Sequence, residues 1–159
     1  MKKIICVLLF LSLLPSALYA SKPSAELSAM DSLVGRRNFR VTIDYVYPQS
    51  GFDTSIFNPH GSLIIKGDSV YAGLPFFGMS SMSYYNNDNL GINIASTTTK
   101  QETVKKKRYL IYEFTAIDKN SESMHFFLKV YGGGKIILEV SSTYRSHISY
   151  SGIIEPLRK

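Results

Sequence analysis

Three histidines, His60, His125 and His147, are the side chains best suited to metal or proton chemistry, and their spacing argues against both. Histidine pairs that share an ion stand two apart on a strand or four apart on a helix, so that both rings face it. These three lie far apart, so no metal site is expected. The carboxylates Asp44, Glu113, Glu139 and Glu155 could form an acid/base pair only if the fold brought two together, and their spacing does not demand it. There is no G-x-S-x-G elbow, no Walker loop and no H-E-x-x-H. "GGGK" (132–135) is glycine-rich but lies between two strand-like runs. A phosphate loop opens a helix, whose amides and dipole face the anion, so this one reads as a turn. The expectation is a non-catalytic protein with no catalytic residues and no cofactor.

Other groups remain as candidates. Arg145, in a turn beside Tyr144, Ser146 and His147, could bind a carboxylate ligand with two parallel N–H donors, or pin the turn by bonding backbone carbonyls. Lys105, Lys106, Lys107 and Arg108 form one cationic run with Lys100 nearby. They could make weak contact with anionic lipid or glycan, or guard a strand edge against aggregation. The stretch "LPFFGMSSMSYY" (74–85) is rich in aromatic residues and methionine and carries no charge. Pro75 stops central-strand pairing, and so large an apolar run would be sticky if fully exposed. Residues 74–79 are expected to fold over one end of the core with Phe77 inward. Met82, Tyr84 and Tyr85 are expected at a rim, where adaptable Met and amphipathic Tyr suit contact with a ligand or partner.

Some frame must hold these groups. "MKKIICVLLFLSLLPSALYA" (1–20) has a lysine pair, an apolar run and a small-residue end, the layout of a cleavable signal peptide. Its apolar run is too short to span a bilayer. Cleavage after Ala20 leaves one domain, 21–159, exported to the periplasm or secreted. Cys6 falls in the leader, so the mature chain has no disulfide, no thiolate ligand and no lipoprotein cysteine. The chain has 18 basic and 12 acidic residues; without Lys2 and Lys3 this becomes 16 against 12. Outside the cytosol so mild an excess excludes no partner except nucleic acid.

Residues 21–37 carry the one helical pattern of the mature chain, with Leu27, Met30, Leu33 and Val34 on one face, Ser24 as a cap and Gly35 as a stop. Strand patterns fill the rest. In "FRVTIDYVY" the inward set is Phe39, Val41, Ile43, Tyr45 and Tyr47. "GSLIIKGDSVYAGL" is a hairpin about Gly67-Asp68. "GINIA", "YLIYEFTAID", "MHFFLKVY", "KIILEVSST" and "HISYSGIIE" follow, which makes eight strands, while 86–89 and 96–107 read as polar loops. Eight antiparallel strands and one N-terminal α-helix predict a mainly β fold, either a lipocalin-like barrel, since closure removes edges, or a two-sheet sandwich.

Several phrases in this order resemble the exported Bacteroidota family catalogued as domain of unknown function 4251. They are "GRRNFRVTIDYVYP", "SLIIKGDSVYAGLPFFG", "LGINI" and "GGGKIILEVSSTYRSHISYSGIIEP". The hallmark phrase maps onto Leu74, Pro75, Phe76, Phe77 and Gly78. The tail phrase maps onto Tyr144, Arg145, Ile148, Ser149, Tyr150 and Gly152. The chain departs at Met79, Ser80 and Ser81, where the family continues Arg-Ala-Tyr, and at Tyr144, where it has Asn. The resemblance implies an exported β-rich fold and brings no activity with it. The functional expectation is an envelope interaction module that docks a partner through residues 74–85 or a strand edge. A lipocalin-like binder of a small apolar or amphipathic ligand is the alternative. The large inward residues Phe39, Tyr45, Phe114 and Phe126 tilt the reading towards a filled core.

Overall fold

The computed structural model describes residues 22–48, 56–81 and 91–157. The expected signal peptide, 1–20, and Met82, Tyr84 and Tyr85 lie outside the described residues. Helix α1 (Lys22–Gly35) leads into strands β1 (Asn38–Pro48), β2 (Ile56–Lys66), β3 (Ser69–Leu74), β4 (Ile92–Thr97), β5 (Thr99–Lys105), β6 (Tyr109–Ile117), β7 (Ser123–Tyr131), β8 (Lys135–Ser142) and β9 (Ile148–Pro156). All neighbours pair antiparallel, in the order β4-β3-β2-β1-β9-β8-β7-β6-β5. The sheet curls almost into a closed barrel.

The ninth strand corrects the expected eight. Residues 99–105 read as a polar loop because β5 is exposed on both faces and shows no inward apolar period. Its strand character comes from pairing with β6, from Thr99 opposite Thr115 to Lys105 opposite Leu110. One residue, Thr98, separates β4 at one edge of the sheet from β5 at the other. The stretch 92–105 therefore carries the chain from edge to edge and nearly closes the barrel. The corner is pinned on the β2–β3 turn: the Thr98 amide and hydroxyl both donate to the Asp68 carbonyl, at 2.7 and 3.0 Å.

The interior is filled. β6 to β9 alternate strictly, sending Leu110, Tyr112, Phe114, Ala116, Met124, Phe126, Leu128, Val130, Leu138 and Tyr150 inward to essentially full burial. Phe114 stacks on Phe126 at 4.7 Å between centroids, and Phe39 meets Tyr112 edge-on at 5.8 Å. In β1 the inward set is Phe39, Val41, Ile43 and then Val46. Tyr45 and Tyr47, expected inward, are exposed. A bulge at Asp44 is the reason: Ile43 faces Gly152 and Tyr45 faces Ser151, so one residue is extra and the alternation flips. Gly152 makes this approach possible, since a Cβ there would lie 1.9 Å from the Thr42 carbonyl oxygen.

Helix α1 seals the end where β1, β6 and β8 begin. Leu27, Leu33 and Val34 join the core, with Met30 packed against it. The expected apolar face is therefore the buried face. Ser24 lies within the helix rather than at its start. The three-glycine turn 132–134 is a 3-10 turn that receives Glu26 and Leu27 of the helix.

Candidate functional site

The opposite end is closed by the segment after β3. Leu74 is the last inward residue of β3, and Phe76 turns into the core at 4% exposure. Phe77 is 42% exposed, which corrects the expectation that it points inward. Pro75 sets the phase: its ring fills the space over Gly61, where a Cβ would lie 2.7 Å from Pro75 Cδ, and the next side chain takes the inward site. The chain then crosses the mouth of the barrel to the β8–β9 turn. Ser80 forms an isolated bridge with Arg145. The Ser81 amide donates to the Tyr144 carbonyl at 2.8 Å, and the Ser146 amide donates to the Met79 carbonyl at 3.0 Å. Gly78 lies where the two segments touch, since a Cβ there would meet Ser146 Oγ at 2.3 Å.

Arg145 is the centre of this closure. It is buried, at 8% exposure, and so belongs to no open surface. Its Nε donates to both oxygens of Glu122, at 3.3 and 3.2 Å, and Glu122 is fully buried. One terminal nitrogen, Nη1, donates to the Gly91 carbonyl at 3.2 Å, just before β4. The guanidinium stands over the Phe76 ring, 5.2 Å from its centroid. The turn carrying Arg145 is shaped by Ser142, whose hydroxyl accepts the amides of Tyr144 and Arg145 and donates to Glu122. Of the two readings of Arg145, these contacts fit the pinning one: it holds a backbone carbonyl, and the carboxylate it grips belongs to the same chain.

Glu122 is the residue that sequence reasoning missed. It sits in the β6–β7 turn, in a run that reads as solvated. Asp118 builds that turn by accepting the amides of Asn120 and Glu122, at 2.7 and 2.9 Å. The register of β7 on β8, with Met124 opposite Ser142, carries Glu122 to the level of the Arg145 turn. Tyr150 completes the site. Its hydroxyl donates to the Pro75 carbonyl at 2.8 Å, and burial raises its pKa well above the ordinary tyrosine value, against a smaller opposing effect from Arg145.

The two phrases singled out in the sequence, Leu74–Gly78 and Tyr144–Gly152, are therefore partners in space. A family model described as "Domain of unknown function (DUF4251)" matches residues 21–154. The chain belongs to the DUF4251 family. A crystal structure of a DUF4251 protein from Bacteroides eggerthii DSM 20697 is similar in fold, with a TM-score of 0.62 at 15% identity. The match covers 85% of this chain and 92% of that one. No curated protein matches the sequence. In this DUF4251 chain, Met79, Ser80 and Ser81 all take part in the crossing to 144–146.

The other candidates are not brought together. Among the described residues no group of three His, Asp or Glu side chains is placed to hold a metal. His125 stands 3.7 Å from Glu113 on the outer face of β6 and β7, both partly exposed. His147 lies beside Ser149. Glu113 and Glu139 flank Phe127 in register on neighbouring strands. Among the described residues no helix is long and apolar enough to cross a membrane.

Proposed function

We propose that this DUF4251 protein is a non-catalytic, exported module of the bacterial envelope that docks a protein partner at the end of the barrel where Phe77 and Met79 emerge. The filled interior carries this reading. A lipocalin-like binder needs a hollow of several hundred Å³, whereas here Phe39, Tyr112, Phe114 and Phe126 touch in succession inside the barrel and Tyr150 is fully buried with them. At the same time Phe77 and Met79 project from a segment that the Arg145–Glu122 pair holds fixed, at 42% and 72% exposure. Tyr45, Tyr47 and Phe57 add exposed rings on β1 and β2, with Tyr45 and Phe57 in contact at 4.9 Å. Rigid aromatic residues on a braced segment lose little entropy on binding, and aromatic anchors dominate interface energetics.

Two measurements test this together. A photo-crosslinking residue at position 77 or 79, in protein exported to its own envelope, should give one discrete protein adduct. The Phe77→Ser/Met79→Ser variant should melt like the parent and lose co-purification of that partner. An apolar fluorophore should show no saturable binding to the purified protein. Stoichiometric fluorophore binding, with no adduct from either position, would return the reading to a ligand carrier.

A further inference from the structure

The positive charge of this protein is not spread over it. Eight cations gather around the helix-sealed end: Arg36 and Arg37 after α1, Lys66 at the β2–β3 turn, Lys105 at the end of β5, Lys106, Lys107 and Arg108 in the β5–β6 turn, and Lys135 at the start of β8. Side-chain contacts tie these elements into one surface. Arg37 bonds Asp68 at 3.0 Å, Gln101 bonds the same carboxylate at 3.1 Å, and Lys105 reaches Asp31 of α1 at 2.8 Å. The Gly67 amide bonds the Arg37 carbonyl, and Lys66 pairs with Asn38. Three carboxylates, Glu26, Asp31 and Asp68, share the patch, which leaves it at +5. Residues 21–159 hold 16 basic and 12 acidic side chains, so the remainder has eight cations against nine carboxylates, a net −1. The patch alone is more positive than residues 21–159 taken together.

We infer that this face docks the protein on an anionic phospholipid bilayer. The cations come from the α1–β1, β2–β3 and β5–β6 connections and from the adjoining ends of β5 and β8. These connections all emerge at the same end of the barrel, where a flat charged surface meets them at once. A linear polyanion would instead call for a groove. Each cation near an anionic membrane is worth roughly fivefold in affinity, and the effect falls off within a Debye length of about 8 Å at physiological salt. Docking by this end leaves Phe77 and Met79 facing away from the membrane, so the inference is compatible with the docking proposed above and independent of it.

Co-sedimentation of the mature protein with vesicles decides it. Binding is expected to vesicles of phosphatidylglycerol and phosphatidylcholine in a one-to-three ratio and not to phosphatidylcholine alone. Raising salt from about 0.05 to 0.5 M should abolish it. Lys106→Glu/Lys107→Glu/Arg108→Glu, all exposed turn positions, should reduce binding at least tenfold with unchanged melting temperature. Lys119→Glu, in the β6–β7 turn at the opposite end, should bind like the parent. No binding to the anionic vesicles at low salt would overturn the inference. So would equal losses in the two variants, or binding to dextran sulfate with none to vesicles.

Discussion

The two ends of this barrel are closed by different chemistry. At one end a helix lays Leu27, Leu33 and Val34 on the core, and the seal is apolar burial. At the other, a segment without regular structure crosses the mouth and is held by a fully desolvated ion pair, Arg145 with Glu122, capped by the Phe76 ring. An apolar seal is non-directional and tolerates exchange of shape at constant volume. A buried ion pair offers little net stability, because desolvation offsets most of the attraction, but losing one partner is costly. One end is therefore a tolerant lid. The other is a latch that accepts one geometry, which suits a segment whose exposed Phe77 and Met79 must stand in fixed positions.

The sharpest way to break this comparison is to remove half of the latch. Glu122→Ala leaves a buried guanidinium facing no carboxylate and should cost about 3–5 kcal/mol in a urea melt. The double variant Glu122→Leu/Arg145→Met should recover a large part of that loss, because the desolvation term disappears with the charges. A single variant within about 1 kcal/mol of the parent would mean that the latch is wet and no different in kind from a surface pair.

Next come the two adjacent phenylalanines. Phe76→Ala should cost about 3–5 kcal/mol, the usual loss for a buried ring, while Phe77→Ala should cost under about 1 kcal/mol. Equal losses would place both rings in the core and remove the docking surface. At the helix end, Leu27→Ala should cost about 2–3 kcal/mol, towards the lower part of the range for buried leucine because it lies at the margin of the core. Leu27→Met should stay within about 1.5 kcal/mol. A methionine as damaging as alanine would show that the lid is as exacting as the latch.

The contrast also explains what could be read in advance. The helix face was legible because Leu27, Leu33 and Val34 follow the helical period and nothing disturbs it. β6 to β9 were legible for the same reason at period two. Three features broke periodicity, and each was set by a partner distant in sequence. Asp44 bulges because Gly152 on β9 lets the backbones close in, which turned Tyr45 and Tyr47 outward. β5 is a strand only because β6 offers it an edge. Glu122 looks like any turn carboxylate until the β7–β8 register sets it against Arg145. The phrase containing Phe76 and Phe77 was visible as a unit, but which ring turns inward depends on Pro75 resting over Gly61 of β2.

The smallest effect compares one phenol from each end. Tyr150 is bonded to the Pro75 carbonyl within the latch. Tyr112, towards the helix end, donates to Gln101 at 2.9 Å, and its pKa is pushed up to about 12, chiefly by burial, with Arg37 opposing. For Tyr150 burial drives the same rise further. An unfolded tyrosine ionises near pH 10. Above that pH the unfolded chain has released protons that the folded chain still holds. Stability should therefore be fully present below about pH 10 and fall as pH rises towards the folded values. Tyr150→Phe removes one hydrogen bond and should cost about 1 kcal/mol at neutral pH. It should also flatten the alkaline decline, and Tyr112→Phe should do so equally, because up to about pH 11 both phenols keep their protons in the folded chain and lose them in the unfolded one. Urea melts at about pH 8, 10 and 11 on the parent and both variants give the slopes. Parallel slopes for the parent and Tyr150→Phe would mean that the Tyr150 phenol ionises as freely in the folded chain as in the unfolded one, and that the crossing segment does not shield it.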